Sequence, residues 1–73
     1  MHYTQILRAL REDRDLFQKD IAKLLNTSQS YYAQYENNKR PLPIEHLYTL
    51  CKFYGVSADY ILGLPKGLKY PER

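Results

Sequence analysis

Amide and hydroxyl side chains occur close together in the middle of this 73-residue chain, and a pair of cations follows them. Gln29, Ser30 and Gln34 can each donate and accept hydrogen bonds, and Lys39 and Arg40 come shortly afterwards. A glutamine amide matches the N7 acceptor and the N6 donor of adenine in the DNA major groove, while lysine and arginine bind phosphate oxygens. These residue types in this order predict a surface that hydrogen-bonds base edges.

Two short helices joined by a polar turn would position these side chains. The first helix is predicted over residues 18–25 and the second over residues 29–37. Ser28 is a typical N-cap for the second helix, and Asn26 in the turn tolerates a left-handed backbone. The second helix would then turn its amide side chains toward solvent.

Apolar residues recur at helical spacing in three further segments, at residues 3–13, 44–54 and 58–62. The residues expected to face inward in the helices are Tyr3, Ile6, Leu7, Leu10, Ile21, Ala22, Leu24, Leu25, Tyr32, Tyr35, Ile44, Leu47, Leu50, Cys51 and Tyr54. Gly55 and Gly63 would end the last two helices. The sequence therefore predicts an all-α fold, a compact bundle of five short helices.

The length allows one domain, predicted over residues 1–63, followed by an extended or flexible C-terminal tail at residues 64–73. The net charge of +3 agrees with a nucleic-acid partner but is weak evidence by itself. Cys51 is the only cysteine, so no intrachain disulfide can form, and a reducing cytoplasm is expected. The sequence contains no apolar run of about 18 residues and no charged-then-apolar start, so neither a membrane span nor a signal peptide is expected.

An enzyme is not expected, because a domain of this size has little volume for both a core and a substrate cavity. His46 and Cys51 are five residues apart on one predicted helix, a poor spacing for sharing a metal ion, so no metal or other cofactor is predicted. Eight tyrosines could suggest a stacking surface for single strands. Most of them lie at core spacing, and Tyr31, Tyr48 and Tyr70 are the freer ones.

An ordered set of residues connects these elements. It consists of Arg11, Gln18, Ile21-Ala22, Asn26-Thr27-Ser28, Glu36, Lys39-Arg40-Pro41, Leu47-Leu50-Cys51 and Gly55-Val56-Ser57. In this order and spacing, the chain resembles the lambda-repressor-like, Cro/CI-type (XRE) helix-turn-helix proteins, from about Ile6 to Leu62. Three features depart from the family pattern: Phe17 replaces the usual polar cap of the second helix, Asp15 and Asn38 replace frequent glycines, and Cys51 replaces a common alanine.

The resemblance implies that residues 28–37 form the recognition helix. Bases would be contacted by Gln29, Ser30, Gln34 and, with less specific chemistry, Tyr31. Phosphates would be contacted by Gln18, Ser28, Asn37, Lys39 and Arg40. Arg11 and Glu36 would form a structural ion pair between the first helix and the end of the third.

The partner implied by the resemblance is double-stranded DNA carrying a near-palindromic operator, bound by a homodimer that forms at least on the DNA. Leu42, Tyr60 and Leu64 are candidate dimer contacts, and no small-molecule ligand is expected. The function implied is a bacterial or phage transcriptional regulator, a repressor that blocks polymerase. One alternative is the antitoxin of a toxin–antitoxin pair, and another is a protein-interaction module that has lost DNA binding.

Overall fold

The computed structural model describes residues 2–69 and 71, and these residues form five α-helices and no strand. The helices are α1 (Tyr3–Asp13), α2 (Gln18–Leu24), α3 (Gln29–Glu36), α4 (Ile44–Tyr54) and α5 (Ala58–Leu62). The predicted all-α bundle is confirmed. Helices α2 and α3 each end one residue earlier than predicted, because Leu25 and Asn37 are their C-caps.

Polar side chains begin most of the helices. The Ser28 hydroxyl accepts a hydrogen bond from the Tyr31 backbone N–H at 3.1 Å, and the Ser57 hydroxyl does the same for Tyr60 at 3.2 Å. Phe17 offers no such acceptor at the start of α2, but its own N–H donates to Asp20 Oδ2 at 2.8 Å. Asp20 therefore supplies half of a capping box and offsets part of the missing cap.

Three helix ends and turns place a non-glycine residue in the left-handed region, where Asp15, Asn26 and Asn38 have φ values of 55°, 58° and 58°. Asp and Asn tolerate this conformation better than other side chains. The two substitutions of family glycines, at Asp15 and Asn38, therefore preserve the turn geometry.

The core lies among all five helices, and α2 packs on α3. Its largest fully buried side chains are Tyr32, Leu7, Ile21, Leu50 and Ile61. The remaining buried apolar residues are Ile6, Leu10, Ala22, Leu25, Tyr35 and Tyr54. Most of the predicted core is confirmed, including the inward orientation of Tyr32 and Tyr35.

Several apolar residues lie elsewhere than predicted. Leu24 is exposed, and Ile44 is 74% exposed, because the buried stripe of α4 follows Leu50 and Tyr54 and leaves the first residue of the helix uncovered. Leu42, a predicted dimer contact, instead packs against the core, and its N–H donates to the Tyr3 hydroxyl at 3.3 Å. Helical spacing alone fits more than one stripe, so tertiary packing decides which stripe is buried.

The segment after α5 is exposed from residue 64 to residue 69. Tyr70, which was expected to be free, and the end of the predicted tail at residues 72–73 lie outside the described residues. The boundary of the domain at residue 63 therefore stays a prediction. None of the described helices has the length and apolar character needed to cross a bilayer.

Candidate nucleic-acid interface

Backbone hydrogen bonds fix the geometry of the turn that precedes α3. The N–H groups of Leu25 and Thr27 donate to the carbonyls of Ile21 and Ala22, each at 2.9 Å, so the turn closes directly on the end of α2. Ala22 is buried and has a small side chain, which allows a close approach of helices. The direction of α3 is therefore set by backbone hydrogen bonds and by close packing.

The two sides of α3 have different surroundings. Tyr32, Tyr35 and Glu36 are buried, whereas Gln29 and Ser30 are exposed. The predicted outward position of Gln29 and Ser30 is therefore the one the structure has. This placement leaves both side chains accessible to a macromolecule that lies along α3.

Glu36 is the centre of a buried hydrogen-bond network. Arg11 binds it through two parallel contacts, Nε to Oε2 at 2.8 Å and Nη2 to Oε1 at 3.0 Å. Arg11 Nη1 also donates to the Leu16 carbonyl at 2.9 Å. The structure thus places Arg11 and Glu36 in the arrangement expected of an ion pair that ties α1 to the end of α3.

Burial alone would raise the pKa of Glu36, but hydrogen bonds from Arg11 and Gln18 outweigh it and hold the pKa below its ordinary value. The hydrogen bond to Glu36 in turn raises the pKa of Arg11. Both groups are therefore charged at neutral pH, and each neutralises the other inside the protein.

Two predicted phosphate-binding residues already have partners within the protein. Gln18 Nε2 donates to Glu36 Oε1 at 3.2 Å, and Asn37 Oδ1 accepts from Arg8 Nη2 at 3.1 Å. Arg8 also lies 3.6 Å from Glu36. Sequence reasoning missed Arg8, although its position three residues before Arg11 places both arginines on one side of α1.

A second group of side chains forms where Arg40, which follows α3 in the chain, returns to the side of that helix. Arg40 Nε donates to Gln34 Oε1 at 2.7 Å, and Arg40 Cζ lies 4.7 Å from the centre of the Tyr31 ring. The structure therefore brings together two residues that were expected to contact bases, Tyr31 and Gln34, and one that was expected to contact a phosphate, Arg40. Lys39, beside them, is exposed.

A shallow concavity of about 460 Å³ lies at the turn between α2 and α3. Lys19 and Lys23, four residues apart on α2, line it together with Ser28 and Gln29. Sequence reasoning missed these two lysines, whose spacing was the available signal. They add positive charge beside the first turn of α3.

The fold and the exposed face of α3 define a helix-turn-helix protein. A family model described as "Helix-turn-helix" matches residues 7–61, which is most of the chain. The chain therefore belongs to this family, and the resemblance seen in the sequence is confirmed.

Relatives with assigned names are similar over the same region. The chain is 39% identical to the uncharacterized HTH-type transcriptional regulator YobD of Bacillus subtilis, over 85% of this chain and 55% of that protein. It is 33% identical to the cryptic phage CTXphi transcriptional repressor RstR of Vibrio cholerae, over 74% of this chain and 49% of that one. The chain thus spans about half the length of these two relatives. Neither name describes an enzyme, in agreement with the prediction of a binding domain.

A solved structure has the same fold. The crystal structure of a transcriptional regulator from Listeria innocua superimposes with a TM-score of 0.84 and 24% sequence identity, over 96% of this chain and 65% of that one. At this identity the likeness establishes the architecture of five helices and not the identity of the ligand.

Proposed function

We propose that this protein is a sequence-specific transcriptional regulator that binds double-stranded DNA with α3 in the major groove. The observation that carries the proposal is the outward face of α3, where Gln29 and Ser30 are exposed on a helix whose other side is buried. Such a helix can enter a groove without unfolding or rearranging its support. The names of the relatives, which are regulators and a phage repressor, support regulation by repression.

Base contacts are assigned to the first turn of α3. Gln29 pairs its amide with adenine N7 and N6, and Ser30 donates to or accepts from a neighbouring base edge. Tyr31 is partly exposed and contacts the edge of the groove through its ring. These three side chains belong to consecutive residues, so they reach a short stretch of base pairs.

Phosphate contacts are assigned to residues on both sides of α3. Ser28 and Lys23 lie at its start, and Asn37 and Lys39 lie at its end. Gln18 contributes the amide N–H that does not face Glu36. If Lys23 and Lys39 each neutralise one phosphate per subunit, the logarithm of the binding constant falls with the logarithm of salt concentration with a slope of about −2 per subunit.

Binding to an operator with twofold symmetry follows from the size of the site. One recognition helix covers a single half-site, so two copies bind half-sites about one helical turn apart. Tyr60 and Leu64 are exposed near the C-terminal end of the fold and are the proposed contacts between the copies. The protein acts in the cytoplasm, where Cys51 stays reduced.

Selection of bound sequences from a random DNA pool at physiological salt tests this function. We expect one enriched site with two related half-sites, bound with a stoichiometry of two chains per duplex in analytical ultracentrifugation. Recovery of sequences no different from the starting pool would refute sequence-specific binding, and a single asymmetric site bound by one chain would refute the homodimer.

The antitoxin alternative predicts a second surface that binds a toxin. The relatives named above are regulators, and they give this alternative no support. A repressor of transcription is therefore the function that the observations favour.

A further inference from the structure

We infer that Arg40 reads a guanine base, and that Gln34 and Tyr31 are the residues that hold its guanidinium in place. This inference rests on the proposed binding of double-stranded DNA by α3. The resemblance to the helix-turn-helix family implied that Arg40 contacts a phosphate and that Gln34 contacts a base. Here Arg40 contacts a base, and Gln34 positions the Arg40 side chain. The three residues, Tyr31, Gln34 and Arg40, are called the Arg40 cluster below.

The backbone after α3 brings Arg40 back onto the helix. Asn38 has a φ of 58°, which reverses the direction of the chain. The N–H groups of Lys39 and Arg40 then both donate to the Gln34 carbonyl, at 2.8 Å and 3.2 Å. Arg40 is therefore placed beside the recognition helix by the same turn that ends it.

The Arg40 side chain is held at two further points. Its Nε donates to Gln34 Oε1 at 2.7 Å, and its guanidinium carbon lies over the Tyr31 ring at 4.7 Å. Tyr31 and Gln34 are three residues apart, so both lie on one side of α3. An arginine restrained in this way has less side-chain entropy to lose when it binds a ligand.

The charge of Arg40 is not neutralised within the described part of the chain. Its partners there are a neutral amide and a neutral ring, whereas Arg11 binds the carboxylate of Glu36. No described residue accepts a hydrogen bond from Nη1 or Nη2 of Arg40. These two groups donate in parallel, which matches the O6 and N7 acceptors of guanine.

Gln34 cannot read adenine in the same arrangement. Adenine requires one acceptor and one donor from the glutamine amide, and the Gln34 acceptor is occupied by Arg40. Gln34 therefore acts through Arg40, and Gln29 remains the adenine reader. Lys39 is exposed beside the cluster and supplies the phosphate contact.

Sequence selection with matched variants tests the assignment. Wild-type sites should contain one guanine per half-site whose replacement weakens binding by about 5- to 150-fold. Arg40→Ala should abolish the preference at this base pair. Lys39→Ala is the matched control, because it also removes one positive charge from a neighbouring exposed residue. It should weaken binding to all sequences alike and keep the guanine.

The role of Gln34 is tested with Gln34→Met, which keeps the length of the side chain and removes the acceptor. It should reduce the preference for the same guanine, and it should have no further effect when combined with Arg40→Ala. This result would show that Gln34 acts by positioning Arg40 and not by contacting a base itself.

Two results would overturn the inference while leaving the proposed function intact. In one, Arg40→Ala lowers affinity equally for all sequences and keeps the guanine preference, as expected of a phosphate contact. In the other, Gln34→Met removes an adenine preference at a different base pair. Failure of the wild-type protein to select any sequence would instead refute the proposed function itself.

Discussion

Both faces of α3 carry hydrogen-bonding groups, yet these groups have opposite surroundings. On the inner face, Glu36 is buried and accepts hydrogen bonds from Arg11 and Gln18, which come from α1 and α2. On the outer face, Gln29 and Ser30 are exposed to solvent. The same short helix therefore carries one fully paired polar group and several groups with free hydrogen-bonding capacity.

This difference indicates how the helix divides its roles. A buried carboxylate must be paired if the fold is to be stable, since an unpaired buried charge is strongly destabilising. Exposed amides contribute little to stability, because water satisfies them equally well. Substitutions on the inner face should therefore change folding, and those on the outer face should change binding, with little overlap between the two effects.

The largest effect is expected for Arg11→Ala. The Arg11 side chain is 11% exposed and that of Glu36 is fully buried, so the substitution leaves a buried carboxylate without its main partner. We expect the free energy of unfolding to fall by about 3–5 kcal/mol, a large part of the about 4–11 kcal/mol expected for 73 residues. Thermal and urea denaturation measure this loss.

Arg8→Ala is the matched control for Arg11→Ala. Arg8 lies 3.6 Å from the same carboxylate, but its side chain is 47% exposed. Its removal should lower the free energy of unfolding by at most about 1 kcal/mol. Equal losses for the two variants would show that burial does not distinguish the two arginines.

Acid should lower the stability that Glu36 contributes on the inner face of α3, whereas the amide and hydroxyl groups of Gln29 and Ser30 on the outer face carry no charge that acid could change. The pKa of Glu36 is lower in the folded protein than in the unfolded chain, so its contribution to stability is present above the ordinary pKa of glutamate, about 4.3. This contribution is lost as the pH falls through the lowered pKa. The unfolding free energy measured from pH 6 to pH 2 should decrease, and the decrease should be smaller in Glu36→Gln.

Gln29→Ala should change binding and leave folding unaffected. Loss of the amide should reduce discrimination at one base pair by about 1–3 kcal/mol, as measured by fluorescence anisotropy with the selected site and its single-base variants. Gln5→Ala, on α1, is the matched control and should leave discrimination unchanged. A loss of thermal stability in Gln29→Ala without loss of discrimination would reverse the roles of the two faces.

The smallest effect is expected for Tyr54→Phe. The Tyr54 hydroxyl is buried and has no hydrogen-bond partner among the described residues. Removing this hydroxyl should leave the free energy of unfolding at neutral pH unchanged or raise it by about 1 kcal/mol. A loss above this size would show that the hydroxyl binds a partner, such as a buried water.

The buried tyrosine hydroxyl groups should also make the stability of the fold depend on pH in alkaline solution. Burial raises the pKa of Tyr54 to about 12, and burial together with Glu36 also raises the pKa of Tyr32. The folded state then holds these protons more tightly than the unfolded chain, so stability should fall as the pH rises from about 10 to 12. Tyr54→Phe should reduce this fall in urea denaturation at each pH.

Much of the fold follows from local signals in the sequence. Ser28 begins α3 as predicted, and Gly55 and Gly63 end α4 and α5 as predicted, each with a φ of 70°. Helix caps and helix ends depend on residues only a few positions apart in the chain, so they can be predicted from the sequence. The exposure of Ile44 could not be predicted from these local signals, because it depends on whether another helix packs against the start of α4.

The candidate site was predicted less completely. The outward position of Gln29 follows from the helical period, once Tyr32 and Tyr35 are assigned to the core. The hydrogen bonds of Gln18 with Glu36 and of Gln34 with Arg40 could not be predicted from the sequence. A glutamine that is free to bind DNA and a glutamine that is paired within the protein can occupy the same position in a helical pattern. Whether these residues touch DNA stays a prediction.

Residue type and spacing alone determined that this chain forms short helices with a polar, outward-facing third helix, because capping, turn formation and helical periodicity act over a few neighbouring positions. Only the tertiary structure decided which polar groups pair with one another. Arg8 and Asn37 are 29 residues apart, and Arg11 and Glu36 are 25 apart. Such contacts depend on how the helices pack in three dimensions, and no local spacing records that packing.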